Sequence, residues 1–262
     1  MIFVLDFGSQ YSHLITRRIR ELGVYAELVP PNIKLEKLKS AEGIVLSGGP
    51  QNLSDSDALR VDKKIFELKI PILGICYGMQ LTAYELRGHV KAGKKREYGP
   101  TEIKIIKKSP LFRGLKSKQR VWMSHGDQVT KLPKEFAVTA SSANCPVSAI
   151  ANESKKIYGL QFHPEVVHTK NGMTILHNFL KIAGAKKSWS MRDFINKEVA
   201  KIKARIGRDQ AICALSGGVD SAVAATIVKK AIGNKLINIF VDTGLMREGE
   251  VEQIRKTFAP PT

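Results

Sequence analysis

The feature that most restricts the fold is an alternation, at the start of the chain, of short β-branched runs with segments of helical period. Residues 2–7 read as a strand, residues 11–22, closed by Gly23, as a helix, and residues 24–29 as a second strand. Residues 43–46 and 70–75 add further apolar runs, each bounded by Gly or Pro. Runs this uniformly apolar are buried on both faces, the habit of parallel strands with helices above and below them. Beyond residue 100 the pattern changes. Residues 101–106, 120–123, 137–140, 147–151 and 156–162 are short strands between turn signals, and residues 171–182 read as a closing helix. The expected fold class is α/β, with a mostly parallel central sheet and an antiparallel portion.

Residues 183–190, AGAKKSWS, break the periodicity and mark a linker, so the first domain is expected at residues 1–187. Residues 188–262 are expected to form a second α/β unit. It reads as helix 191–206, strand 211–215, helix 220–231, strand 236–241 and helix 248–258, before Pro260-Pro261-Thr262.

Composition narrows the function classes. The chain has 262 residues, 43% apolar and 25% charged, which suits an ordinary folded protein. No apolar run approaches the roughly 18 residues of a membrane span, and the first residues meet Asp6 without a basic leader. A cytoplasmic protein with no membrane partner is expected. Cys76, Cys145 and Cys213 lie far apart without a CxxC pair, which argues against a disulfide framework and a thiolate zinc site. The net charge of +18 is spread over pairs such as Lys107-Lys108 and one triplet, Lys94-Lys95-Arg96. A nucleic-acid arm would carry a block of like charge, so no specific nucleic-acid partner is expected.

At residues 72–80, ILGICYGMQ, a G-x-C-x-G sequence joins an apolar strand to a helical run. That is the pattern of a nucleophile elbow with sulfur in place of oxygen: glycines permit a sharp turn and Cys76 stands above the sheet edge. The positive end of the helix dipole favours the thiolate there. The pentapeptide alone equally suits a small buried cysteine packed between glycines. Gln161-Phe162-His163-Pro164-Glu165 offers a base, because side chains at i and i+2 of an extended segment share a face and Glu165 can orient His163. The alternative is an ordinary surface His and Glu; a metal reading that adds His168 or His177 lacks ligand spacing. Ser47-Gly48-Gly49-Pro50 is by itself a turn, but it follows a strand and can bring amides to the same edge. The N–H of Tyr77, next after the nucleophile, is the expected second oxyanion donor.

These segments, with DFGSQY (residues 6–11), KREYG (95–99), WMSHGD (122–127) and GLQFHPEV (159–166), resemble in dense order the class I, triad-type glutamine amidotransferases. The resemblance covers residues 1–182. It implies a triad of Cys76, His163 and Glu165, oxyanion amides from Gly49 and Tyr77, and glutamine held by Gln80 and the loop of Ser124, His125, Gly126 and Asp127. It further implies attack on the glutamine carboxamide, release of ammonia, and hydrolysis of a thioester.

After the linker, Ser216-Gly217-Gly218-Val219-Asp220-Ser221 lies between a β run and an Ala/Val-rich helix. Backbone N–H groups of such a turn, backed by a helix N-terminus, cradle phosphate, and the hydroxyls of Ser216 and Ser221 add donors. Asp220 would repel a polyphosphate unless a cation bridges the two, which implies Mg2+. There is no G-x-x-x-x-G-K-[ST], which excludes a P-loop; a capped helix after a glycine turn is the plain alternative. The hexapeptide resembles the signature of the ATP pyrophosphatases, and its position behind this amidotransferase and before FVDTGL (240–245) resembles the glutamine-hydrolysing GMP synthetase family. Val167 stands where that family usually has Thr, and Thr243 where it usually has Asn. The resemblance implies glutamine, ATP and XMP as substrates, and GMP, AMP, pyrophosphate and glutamate as products. It also implies that residues 188–262 are an incomplete α/β ATP-pyrophosphatase domain, and a homodimer whose dimerisation domain is absent from these residues. Rival expectations are another class I amidotransferase, against which SGGVDS argues, and a truncated or stand-alone glutaminase or regulatory chain that makes no GMP by itself.

Overall fold

The computed structural model describes residues 1–258; Pro260-Pro261-Thr262, where the sequence reading ends, lie outside the described residues. The chain divides into two compact units, Met1–Trp189 and a second that begins at Ser190.

The first unit runs β1 (Ile2–Leu5), α1 (Ser12–Glu21), β2 (Ala26–Val29), α2 (Leu35–Leu38), β3 (Gly43–Leu46), β4 (Ile72–Ile75), α3 (Tyr77–Glu85), β5 (His89–Ile105), β6 (Lys118–Lys131), β7 (Ala137–Ser141), β8 (Ala149–Asn152), β9 (Ile157–Leu160) and α4 (Gly172–Ile182). One nine-stranded sheet has the order β2-β1-β3-β4-β9-β8-β7-β5-β6. From β2 to β9 the strands are parallel; from β9 to β6 they are antiparallel. The α/β class with both portions is as the sequence implies. The antiparallel portion, however, begins at His89, not at residue 101, and β5 and β6 are much longer than the apolar signal suggests. Residues 91–96, KAGKKR, hold no alternating apolar set, because β5 and β6 lie at the sheet's outer end and this stretch is kinked by register shifts.

Alternate residues of the parallel strands feed opposite layers. Ile2, Val4, Val45, Leu73 and Ile75 pack with Ile15 and Ile19 of α1 and Ile175, Leu176 and Phe179 of α4. Phe3, Leu5, Ile44, Leu46 and Ile72 pack with Leu38 of α2 and Tyr77 and Leu81 of α3. Burying both faces explains why these strands lack polar alternation. The end of the unit is fastened to its start: the N–H groups of Ser188 and Trp189 donate to the Gly23 carbonyl at 2.9 and 3.0 Å, and the Arg20 guanidinium lies over the Trp189 ring.

The second unit consists of α5 (Met191–Ile206), β10 (Ala211–Leu215), α6 (Val219–Ile232), β11 (Leu236–Phe240) and α7 (Glu250–Phe258). Its two strands pair in parallel, and Leu215, Ala225 and Ile254 form its small buried centre. Ile212, Ile237 and Ile239 remain exposed among the described residues.

Candidate functional site: a thiol, an imidazole and a carboxylate at one sheet edge

The parallel register delivers three loops to one edge. β4 pairs with β9 so that Ile75 lies opposite Leu160, and the Cys76 N–H donates to the Leu160 carbonyl at 2.7 Å. The chain leaving β4 therefore carries Cys76 beside the chain leaving β9, which carries His163 three residues on. On the other side of β4, the chain leaving β3 forms the Ser47 to Gly49 turn. Its Gly48 lies against the His163 ring, such that a Cβ there would stand 3.1 Å from Cε1. The carboxyl ends of parallel strands are where α/β proteins place their ligands.

Cys76 has φ 50° and ψ −107°, a left-handed backbone that a non-glycine residue occupies only at a cost of about 1–3 kcal/mol. The turn is tight enough that a Cβ on Gly78 would collide with the Leu46 carbonyl oxygen. α3 begins at once with Tyr77, so the thiol sits at its N-terminus. Sγ approaches the Ser124 carbonyl at 3.5 Å and accepts from Gln161 Nε2 at 3.7 Å.

His163 Nδ1 is 2.7 Å from Glu165 Oε1, leaving Nε2 for the sulfur. Burial alone would push the imidazole down, but the Glu165 carboxylate and the hydrogen-bonding Cys76 sulfur together hold it well above the usual histidine value. The ring meets Tyr11 edge-on, and its backbone is fixed by the Trp122 carbonyl, which accepts from His163 N at 3.0 Å. Thr169 Oγ1 donates to the His163 carbonyl at 2.6 Å, and Arg18 donates to the Glu165 carbonyl at 3.1 Å. Glu165 is 1% exposed, and its second oxygen, Oε2, has no donor among the described residues. Such a group is oriented by the fold and reserved for its one partner.

Gln80 Nε2 donates to the Asp127 carbonyl at 2.8 Å and reaches Gln161 Oε1 at 3.3 Å. Ser124 presents its carbonyl to the thiol, whereas His125 turns its imidazole toward the Asp127 carbonyl and the Glu97 carboxylate. Gly126 lies along Arg96. Gly49 packs against the Tyr77 ring, whose hydroxyl donates to the Leu59 carbonyl at 2.6 Å. Sequence reasoning missed Gln161, although it shares the face of His163 two residues away, and missed Thr169, for which no local signal exists.

In the second unit, Gly217 has φ 85° and Gly218 precedes α6. Ser221 Oγ accepts from Ser216 N at 3.1 Å and donates to the Gly218 carbonyl at 3.0 Å; Ser216 Oγ accepts from Gly218 N at 3.4 Å. Val219 and Asp220 are exposed in the first turn. The first amides of the helix have no intrahelical acceptor and face the turn.

Residues 3–183 match the family model for Glutamine amidotransferase class-I, and residues 188–257 match that for NAD synthase. The chain is 53% identical over 262 residues to GMP synthase [glutamine-hydrolyzing] of Bacillus subtilis, covering 99% of this chain and 51% of the relative. It is likewise 53% identical over 257 residues to that of Lactobacillus johnsonii, covering 97% and 50%. It thus spans about half the length of these curated relatives. Among solved structures, a Thermoplasma acidophilum protein assigned as one subunit of a GMP synthase superposes with TM-score 0.66 at 37% identity, over 75% of this chain and 96% of that one. A glutamine amidotransferase of Thermotoga maritima shares the fold with TM-score 0.53 at 21% identity, over 89% and 96%. With more than half of its residues in that family match, the chain belongs to the class I glutamine amidotransferases.

Proposed function

We propose that residues 1–187 are a glutaminase domain and that residues 188–262 open the synthetase domain of a glutamine-hydrolysing GMP synthase. The observation that carries the first half is the line from Cys76 through His163 to Glu165 on a strained elbow. The Cys76 thiolate adds to the carboxamide carbon of glutamine, and the amides of Gly49 and Tyr77 receive the oxyanion. His163 Nε2 gives its proton to the leaving nitrogen, the C–N bond breaks, and ammonia departs from a thioester. His163 then takes a proton from water, whose oxygen adds to the thioester carbon and expels the Cys76 sulfur as glutamate forms. Glu165 holds the ring throughout. Gln80, Gln161 and residues 124–127 shape the wall against which glutamine lies.

The turn of Ser216, Gly217, Gly218, Val219, Asp220 and Ser221 is the part that binds the ATP polyphosphate. The exposed Asp220 carboxylate beside the helix N-terminus would hold an Mg2+, which would screen the charge between it and the polyphosphate. The longer protein adenylylates XMP, releases pyrophosphate, and lets ammonia displace AMP to give GMP. Both curated relatives support this reading, since the similarity crosses both units. A cytoplasmic location suits a thiol nucleophile that must stay reduced, and a homodimer is the assembly this reading expects of the longer protein.

The test is twofold. Glutamate release from glutamine by the chain, lost in Cys76→Ala, supports the glutaminase; release that survives the substitution overturns it. GMP formation from XMP, ATP, Mg2+ and ammonia is then assayed with the chain alone and with the remaining synthetase segment supplied. Formation only in the second case supports the division of labour. Formation in neither leaves the alternative of a glutaminase or regulatory chain that makes no GMP.

A further inference from the structure

One residue of the glutamine wall, His125, belongs to a second buried pair that takes no part in the proton transfers. Glu97 of β5 and His125 of β6 are cross-strand partners, 6% and 4% exposed. His125 Nδ1 is 3.0 Å from the Asp127 carbonyl, which can only accept, so Nδ1 carries a proton. His125 Nε2 is 3.3 Å from Glu97 Oε2 and has no aligned hydrogen-bond partner among the described residues. A neutral ring would there set its lone pair against a carboxylate lone pair, out of water, which a buried site does not tolerate. One more proton between the two removes the conflict.

We propose that Glu97 and His125 share one proton and act as a positioning pair that holds residues 124–127 in place opposite Cys76. The links on both sides are direct. Glu97 is gripped by Ser142 Oγ at 3.3 Å and Asn144 Nδ2 at 3.5 Å, which tie it to the loop after β7. The Asp127 carbonyl that accepts from His125 also accepts from Gln80, Gln80 meets Gln161, and Gln161 donates to the Cys76 sulfur. One residue before His125, the Ser124 carbonyl faces the same sulfur. A shift of the imidazole therefore moves both the wall and the partners of the nucleophile.

The charged and titratable groups around the pair are Cys145 from the loop, Arg96 along Gly126, Asp127 on β6, and His163 with Cys76 from the site. Burial pushes His125 down and the Glu97 carboxylate opposes it; what calls for a proton between the two is the geometry, an unpartnered Nε2 facing Glu97 Oε2 at 3.3 Å. Donor atoms of Glu97, His125 and Cys145 lie within 4.8 Å of one another, a grouping that could also hold a metal. The Cys145 thiol, however, donates to the Val147 carbonyl at 3.3 Å and is pushed up to about 11 by burial, so it keeps its proton.

This inference rests on the glutaminase reading and deepens it. The test compares Glu97→Ala and Glu97→Gln in the full chain, with Cys76→Ala as the control that judges the glutaminase reading itself. Glutamine at position 97 can donate an amide N–H to a neutral Nε2 and so restores the bond without a titrating group. Glu97→Ala is expected to raise KM for glutamine about tenfold, the scale of one charge-assisted hydrogen bond, with a smaller change in kcat. Glu97→Gln is expected to restore KM at neutral pH. As pH rises the wild type loses the shared proton and its KM rises with it, a limb that Glu97→Gln lacks because its amide does not titrate. If Glu97→Ala does not fold, Glu97→Gln alone decides through this pH comparison. Identical KM profiles in wild type and Glu97→Gln would overturn the proposal. So would stoichiometric zinc in the purified wild type that is lost in Glu97→Gln, which would make the cluster a metal site.

Discussion

Two strand-turn-helix junctions in this chain use glycine-rich turns to opposite ends. At β4–α3 the glycines flank a side chain: Cys76 adopts a left-handed backbone, is 6% exposed, and is held by β9, β6 and the turn after β3. At β10–α6, on the reading proposed above, the glycines themselves are the functional surface: Gly218 and Asp220 are exposed, and the turn is held chiefly by its own Ser216 and Ser221, with Met246 and Glu250 against Gly217. The first turn is built by its surroundings, whereas the second is largely local. A nucleophile needs one atom fixed against several partners, and that requires tertiary support. A phosphate cradle needs amides that point one way, and a turn before a helix supplies them alone.

The largest effect is expected where that support converges. Cys76→Ala should reduce glutamate release by about four orders of magnitude or more, as removal of a nucleophile does elsewhere. A glutamine-analogue electrophile should label Cys76 but neither Cys145 nor Cys213. Comparable labelling of Cys145, whose thiol burial keeps protonated, would break the claim that the elbow singles out one sulfur.

The relay should follow. His163→Ala is expected to lower kcat/KM about 10³-fold or more, and Glu165→Gln by about one to two orders less, since Glu165 orients while His163 moves protons. The double variant should be little worse than His163→Ala, because the two act as a unit. In Glu165→Gln the carboxylate that does most to hold His163 up is gone and only the Cys76 sulfur still opposes burial, so the imidazole should lose its proton at lower pH than in the wild type. An NMR titration of His163 reads this directly, and an unchanged midpoint would mean that Glu165 is not what raises it.

The glycines separate the junctions next. A methyl at Gly78 meets the Leu46 carbonyl, a rigid backbone atom, so Gly78→Ala should destabilise the first unit by about 3 kcal/mol in chemical unfolding. Gly218 has φ −79° and open space, its nearest neighbour being Ser216 Oγ at 3.5 Å from the added Cβ. Gly218→Ala should therefore change stability by about 0.5 kcal/mol or less, while weakening pyrophosphate binding.

The parallel half was legible because burial on both faces leaves unbroken apolar runs such as 43–46 and 72–75. The G-x-C-x-G and H-x-E patterns were legible because each acts over a few residues. The arms of β5 and β6 were not, since residues 91–96 carry charge and glycine where a strand signal would need alternation. The Glu97–His125 contact was illegible for a different reason. It depends on a cross-strand register that follows a register shift, and no local pattern announces which residue will lie opposite which. The roles of Gln161 and Thr169 likewise emerge only once β9 is seated beside β4 and β6 crosses the site.

The smallest expected effect is the most discriminating. Asp220 is exposed in the first turn of α6, and its unit has its own buried centre in Leu215, Ala225 and Ile254. Asp220→Ala should thus leave glutamate release within about twofold of the wild type, a change below the worth of one ordinary hydrogen bond. The same substitution should weaken Mg2+-dependent binding of pyrophosphate, measured by calorimetry with and without the metal, because Asp220 is the exposed carboxylate at the start of α6, whereas Glu250, packed against Gly217, already accepts from Arg247 N at 3.1 Å. A glutaminase rate that falls with Asp220→Ala would show that the turn's influence reaches the elbow, and the contrast between a locally held cradle and a collectively held nucleophile would no longer stand.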